Sequence, residues 1–246
     1  MSKLKEAFEE RLSEIEVYLD LLESLERQVQ HGPPRFGEGT RITVEQQRIL
    51  YSGVYLQLYS LVEATITQCI EAVCTAATDG DAWKPSDLAQ GIRTEWVRYV
   101  ARTHEDLNYE NRLTSALTMF DALVGAAPVS PFKVERAGGN WDDKQIEGIS
   151  RRLGLDLRIS DPVRLQTKRH VREERGALVL IRHLRNRLAH GNLSFVECGA
   201  NATVSDLRDL KEITAAYLRE VVVSFSESIA AHEYLIPGKR PVQIDT

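Results

Sequence analysis

The 246-residue chain lacks any apolar stretch approaching the roughly 20 residues needed to cross a bilayer. Its N-terminal sequence, MSKLKEAFEERL, is charged and has no apolar segment of the kind found in a secretory signal peptide. Hydrophobic residues make up 43% of the chain and charged residues 27%, as in an ordinary globular protein. We therefore expect a cytoplasmic protein that has no membrane partner.

Cysteine pairs and metal-binding motifs are also missing. The three cysteines, Cys69, Cys74 and Cys198, form no CxxC pair, which argues against a structural disulfide or a thiolate zinc site. The six histidines are scattered and make no HExxH pattern, and neither GxxxxGK[ST] nor GxGxxG occurs. The sequence thus predicts no metal site and no cofactor.

Strand alternation is nearly absent, and helical periodicity dominates the chain. The spacing predicts an all-α fold, a multi-helix bundle that forms a single domain over residues 1–246 with its core at about 45–235. The N-terminal helix (4–29) and the tail (237–246) are expected to be peripheral, and residues 192–203 to be irregular. The predicted helices cover residues 4–29, 44–77, 88–103, 109–123, 142–153, 163–190 and 205–234.

One carboxylate falls inside the apolar band of the second predicted helix. Glu63 lies beside Leu61, Val62 and Ile66 in that band. Because a buried carboxylate is costly unless it is paired, we expect an arginine partner, and Arg185 is the candidate. The alternative is a surface glutamate at the edge of the band.

The most informative segment is LRNRLAHGNLSF, from Leu184 to Phe195. At about 100° per residue, Arg185, Asn186 and His190 share one helix face, separated only by the methyl group of Ala189. Such a face would suit a phosphate. The alternative is a plain helix end, because cations favour the last turn and Gly191 is a typical C-terminal cap. The opposite, packing face carries Ala177, Ile181, Leu184 and Leu188.

Positive charge is concentrated just before this segment. The chain has a net charge of −5, yet the segment from Arg164 to His190 holds eight basic residues against two glutamates, so it carries +6 and the remainder −11. A basic stripe that reaches the Arg/Asn/His face is a plausible phosphate track. The alternative is a set of solvated helix charges. The candidate contacts to RNA phosphates are Lys168, Arg172, Arg182 and Arg187.

These residues resemble the hallmark of the HEPN superfamily (higher eukaryotes and prokaryotes nucleotide-binding). That hallmark is an Arg, usually followed by a polar residue, with a His four to six positions on at a helix C-terminus; here it reads RNRLAHG from Arg185. The surrounding blocks from about residue 45 to 225 resemble the long subfamily found in bacterial toxin–antitoxin and restriction-type loci. Those blocks are VYLQLYSLVEATI, GGNWDDKQIEGISRRLGL and LIRHLRNRLAHGNLSFVECGANATVSDLRDLKEITAAYLREVV.

The resemblance implies a helical HEPN-type homodimer in which two hallmark helices face each other. It also implies a metal-independent endoribonuclease, a hydrolase-type toxin or antiviral defence effector with an antitoxin or defence-system partner protein. The implied catalytic residues are Arg185, Asn186 and His190, supported by Glu63. Two alternatives stay open: a non-catalytic module that binds nucleotide or RNA or mediates assembly, and a plain helical interaction protein.

Overall fold

The computed structural model of the chain describes residues 3–29, 32–35, 39–79, 83–103, 105–125, 127–135 and 140–241. These residues form nine α-helices and short 3-10 turns, with no β-strand, which confirms the predicted all-α fold. The helices are α1 (Lys3–Val29), α2 (Val44–Thr78), α3 (Gln90–Val100), α4 (Tyr109–Val124), α5 (Asp143–Leu153), α6 (Asp161–Lys168), α7 (Ala177–Ala189), α8 (Phe195–Gly199) and α9 (Val204–Ala230). No helix of this described part is long and apolar enough to span a membrane.

The chain divides into two compact units, whose boundaries fall within α2 and α9. The first unit contains α1, α6, α7 and α8, and it comprises Met1–Thr65, Trp141–Asp143 and Ile159–Glu220. The second contains α3, α4 and nearly all of α5, and it comprises Ile66–Asn140, Lys144–Arg158 and Val221–Thr246. The single domain proposed for residues 1–246 stays a prediction, and residues 242–246 of its tail lie outside the described residues.

In the first unit, α1 is an amphipathic helix with both faces engaged. Arg208 on α9 contacts Asp20 and Glu23 of α1 at 2.6 and 2.7 Å, and Arg219 contacts Glu9 at 3.0 Å. These acidic residues lie on the polar face of α1, and the two arginines of α9 bind them. The buried face carries six apolar residues at helical spacing: Phe8, Leu12, Ile15, Leu19, Leu22 and Leu25.

The prediction of one long basic helix over residues 163–190 is wrong, because the segment forms two helices, α6 and α7. Between α6 and α7 the chain makes a tight turn, in which the Val171 N–H donates to the Arg175 carbonyl at 2.8 Å. Glu173 and Glu174 in this turn adopt φ values of 52° and 55°. A Cβ at Gly176 would lie 2.5 Å from the Thr167 carbonyl oxygen, so the end of α6 approaches the start of α7 too closely for any other residue.

The segment expected to be irregular after Gly191 contains a short helix, α8. Ser194 is its N-cap: its hydroxyl accepts the Glu197 N–H, and the Glu197 carboxylate accepts the Ser194 N–H. This reciprocal capping box stabilises the first turn. The sequence contains the signal for this cap, a serine followed three residues later by glutamate, but a helix of five residues is too short to show an apolar period.

Glycine permits a close approach between α3 and α5 in the second unit. A Cβ at Gly91 would lie 2.3 Å from the Leu153 carbonyl oxygen, whereas a Cβ at Gly148 on α5 would meet no atom within 4 Å.

We expect Gly91→Ala to lower the free energy of unfolding by about 1–3 kcal/mol, because the backbone must move to make room for the added methyl group. Gly148→Ala should raise it by about 0.5–1 kcal/mol, because alanine favours the helix. Urea denaturation of both variants checks this, and equal shifts would contradict the close approach.

Candidate active site at the end of α7

The hallmark residues lie at the C-terminal end of α7, as predicted. The helix ends at Ala189, His190 is its C-cap, and Gly191 follows with φ +70°. The Asn192 N–H donates to the Arg187 carbonyl at 2.8 Å, which closes the last turn. The predicted packing face is confirmed, since all four of its residues are buried: Ala177, Ile181, Leu184 and Leu188.

The guanidinium of Arg185 is held from three sides within the first unit. Its Nη1 donates to Asn186 Oδ1 at 2.9 Å, and its Nη2 lies 3.8 Å from Glu63 Oε2. Its Cζ stands 4.2 Å from the ring centroid of Tyr59, a cation–π distance. The guanidinium is thus oriented, while 30% of the side chain remains exposed. An anion that reaches this group would meet donors already in position.

Glu63 pairs with Arg185 as expected, but it is not buried. Its side chain is 40% exposed, so the prediction of a carboxylate deep in the apolar band is wrong. On α2 it sits at the edge of that band, the alternative interpretation of the sequence. An ion pair of 3.8 Å at a half-exposed site contributes little stability. The contact therefore orients Arg185 without preventing a phosphate from competing for it.

Tyr59 is the residue of this cluster that the sequence interpretation missed. It lies on α2 one turn before Glu63, and its hydroxyl accepts the Trp141 N–H at 3.4 Å. Burial raises the pKa of the Tyr59 hydroxyl, so it stays protonated. Tyr55, one turn earlier, lies under the Arg172 guanidinium at 5.5 Å. The four-residue spacing of Tyr55, Tyr59 and Glu63 was visible in the sequence, but it fits a packed core equally well.

His190 and Asn186 complete the face. The backbone N–H of His190 donates to the Asn186 carbonyl at 3.0 Å, so the two residues are joined by the last helical hydrogen bond. The His190 side chain is exposed, and Asn186 is half-buried beside Arg185. An exposed imidazole at the end of the helix that carries Arg185 is accessible to a ligand bound there. His183, on the same helix, is half-buried, and this burial together with Arg175 lowers its pKa, which favours the neutral imidazole.

The basic residues proposed to bind RNA occupy different surroundings. Arg182 forms an ion pair with the buried carboxylate of Asp142, and Arg172 lies half-buried over Tyr55. Arg187 Nη2 reaches the Asn192 carbonyl at 3.5 Å, and Lys168 is exposed at the end of α6. Their roles in RNA binding stay predictions. Lys168 and Arg187 retain the solvent access that such contacts need, whereas Arg182 and Arg172 are committed within the protein.

Metal ligands do not gather in the part of the chain that the structure describes. No group of three or more His, Cys, Asp or Glu side chains there could hold a metal ion. The three cysteines are free and buried, and burial raises the pKa values of Cys69 and Cys74 to about 12. These thiols are therefore protonated and unreactive at neutral pH.

The comparison with protein families adds to this geometry. The family model described as MAE_28990-like HEPN matches residues 1–234. The chain belongs to this HEPN family. The match confirms the superfamily resemblance and extends it over the N-terminal helix. No curated protein and no solved structure matches the chain.

HEPN membership fits a nuclease or a nucleotide-binding module. Within this HEPN chain, the hallmark Arg185, Asn186 and His190 and the candidate supporting Glu63 all belong to the first unit. The position two residues after the hallmark histidine, where some HEPN proteins carry a tyrosine that a partner enzyme adenylylates, is Asn192 here.

Proposed function

We propose that this HEPN protein is a metal-independent endoribonuclease that cleaves cellular RNA at a composite site in a homodimer. The observation that carries the proposal is the end of α7. There an exposed imidazole, His190, follows a guanidinium that Tyr59, Glu63 and Asn186 hold in place. These are a proton-transfer group and an anion-binding group on one face. Cleavage of RNA through its own 2′-hydroxyl needs both and requires no metal.

The proposed reaction is an internal transfer at the RNA phosphate. The 2′-oxygen loses its proton to one His190 imidazole and attacks the adjacent phosphorus, forming the P–O2′ bond. The P–O5′ bond breaks, and its oxygen takes a proton from the His190 imidazolium of the second subunit. The products are a 2′,3′-cyclic phosphate and a 5′-hydroxyl. One histidine cannot act as base and acid at once, and the second copy supplies the missing role.

Arg185 and Asn186 would stabilise the negatively charged transition state of this reaction. Negative charge grows on the non-bridging phosphate oxygens as the 2′-oxygen attacks, and a guanidinium fork is suited to it. Asn186 orients Arg185 through its Oδ1, and Glu63 supports the same guanidinium from α2. Lys168 and Arg187 would bind flanking RNA phosphates. Arg172 and Arg182 would join them only on leaving their contacts with Tyr55 and Asp142.

The cellular role proposed is that of a toxin or abortive-infection effector in the cytoplasm. Such an enzyme needs restraint, and an antitoxin or other defence-system partner protein would provide it. Because Asn192 stands where adenylylation would require a tyrosine, we expect that restraint to come from binding at the site rather than from modification of this position.

One observation also fits a second candidate, a non-catalytic module that binds nucleotide or RNA or mediates assembly with a partner. Arg185 already has a hydrogen bond and an ion pair inside the protein, which suits a static anion-binding site as well as a catalytic one. The two functions differ in products, since a binding module leaves RNA intact.

The test is incubation of the purified full chain with total bacterial RNA in EDTA. We expect new fragments that carry 2′,3′-cyclic phosphate and 5′-hydroxyl ends, identified by end-specific labelling. Cleavage that appears only when magnesium is restored, or that leaves 3′-hydroxyl ends, would contradict the proposal. RNA that is bound but uncut by folded protein would favour the binding module.

A further inference from the structure

Helix α4, in the second unit, turns its apolar side to solvent. Its packed side is modest, since Ser115 is the only buried residue of this helix, and Met119 and Ala122 are half-buried. A helix that folds onto a core normally does the reverse. Six large apolar residues of α4 are between 52% and 76% exposed: Tyr109, Leu113, Leu117, Phe120, Leu123 and Val124.

The exposed residues follow the spacing of a helix-pairing seam. Tyr109, Leu113, Ala116, Phe120 and Leu123 are separated by four, three, four and three residues. This alternation is the heptad pattern in which two helices interlock. It covers the whole of α4, so the face is built to meet another helix along its entire length rather than to hold a small molecule.

Six apolar residues of this face are also symmetric about a centre between residues 116 and 117: Tyr109, Leu113, Ala116, Leu117, Phe120 and Val124. In an antiparallel pair of α4 helices, Tyr109 would face Val124, and Leu113 would face Phe120. At the centre, Ala116 would face Leu117, a small residue opposite a large one. A parallel pair would set Ala116 against Ala116 and leave a gap. An interface in which residue i meets j while j meets i is what a two-fold axis requires.

The area and the charges of this face also fit a second copy of the chain. A large side chain has roughly 150–250 Å² of surface, so the exposed parts of the six apolar side chains add up to on the order of 700 Å². That is close to the ~800 Å² each partner contributes to a standard interface, and more than monomers usually leave exposed. The charged residues of α4, Glu110, Arg112 and Asp121, lie at or beyond the edges of the stripe, which places them at the rim of the paired face.

We propose that α4 is a self-association surface on which a second copy of this chain docks, with the two α4 helices antiparallel. This pairing uses no residue of the hallmark site and does not depend on ribonuclease activity. It adds a two-fold contact to the one that the composite site requires, and its loss leaves the hallmark residues unchanged.

Sedimentation of the full chain over micromolar concentrations tests the proposal. We expect the mass of the parent to rise with concentration. Leu117→Glu or Phe120→Glu should raise the dissociation constant for self-association by at least about tenfold, because each places a charge near the centre of the exposed apolar face. Leu165→Glu is the matched control. Leu165 lies on α6 and is 72% exposed, so the substitution makes the same chemical change at a different surface. A parent mass that is constant, or self-association that survives both α4 substitutions, would overturn the proposal.

Disulfide trapping tests the orientation. Because the three natural cysteines are buried, each new surface cysteine is the accessible thiol of its variant. In an antiparallel pair, Leu113→Cys should crosslink to Phe120→Cys when the two variants are mixed, and Ala116→Cys should likewise crosslink to Leu117→Cys. Thr118→Cys, on the far side of the helix from the stripe, should stay uncrosslinked. Leu113→Cys that crosslinks to itself but not to Phe120→Cys would overturn the antiparallel arrangement.

Discussion

Replacing His190 with alanine is expected to lower the rate of RNA cleavage by about 10²–10⁴-fold, the usual contribution of a general acid or base. The loss should appear in kcat more than in KM, because the imidazole moves protons and is not the main phosphate ligand. His190 is exposed at the end of α7, so its side chain can be removed without opening a cavity in the core. The measurement is single-turnover cleavage of labelled RNA, with circular dichroism to show that the variant is folded.

His183→Ala is the matched control for this substitution. It removes a second histidine from the same helix, one that lies half-buried with Nε2 3.7 Å from Glu173 and has a lowered pKa. We expect its cleavage rate to stay within a few-fold of the parent. Equal losses in both variants would mean that helix α7 had been perturbed generally. Unchanged cleavage in His190→Ala would expose a contaminating nuclease and remove His190 from the mechanism.

Mixed dimers test whether one site draws on both subunits. If equal amounts of parent and His190→Ala subunits exchange freely, about a quarter of the dimers contain two intact histidines. A composite site should then retain about a quarter of the parent activity per total subunit, because only those dimers have both base and acid. Independent sites, one in each subunit, would retain about half. The outcome separates the two-histidine mechanism from a single-subunit one.

Helical periodicity predicted most of the fold because apolar spacing records which face of a helix is buried. The four buried residues of the α7 packing face were predicted correctly from that spacing alone, and the six buried residues of α1 recur at the same helical spacing. The position of the hallmark was predicted for the same reason, since Gly191 ends the helix with a positive φ.

The environment of the site could not be predicted in the same way. Tyr59 touches Arg185 only because α2 and α7 pack together, and a spacing of four residues on α2 does not specify what lies opposite it. The break before α7 was missed because charged residues are compatible with both a helix and a turn. The deciding feature is the close contact between Gly176 and the Thr167 carbonyl, which exists only in the folded chain.

Arg152→Met is expected to lower the free energy of unfolding by about 2–4 kcal/mol, because removing one partner of a buried ion pair leaves a charge without compensation. Glu95 on α3 has a side chain only 1% exposed, and Arg152 on α5 donates to its Oε1 at 2.8 Å and also contacts its Oε2. Arg98 also contacts Glu95, so the carboxylate keeps one partner and the loss falls short of the largest known values. Urea denaturation measures the change, with the exposed Arg151→Met as a control expected within about 0.5 kcal/mol of the parent.

The cause of that loss can be separated from lost packing by a second substitution. Glu95→Gln removes the charge that Arg152→Met leaves buried, so the double variant should be destabilised by less than the sum of the two single variants. If the arginine contributed mainly through its aliphatic stem, methionine would replace that contact, and the single variant would lose under about 1 kcal/mol. Additive losses would likewise show that the two charges do not stabilise each other. A non-additive cycle means instead that the Glu95–Arg152 pair holds α3 against α5, at the same contact where Gly91 meets the Leu153 carbonyl.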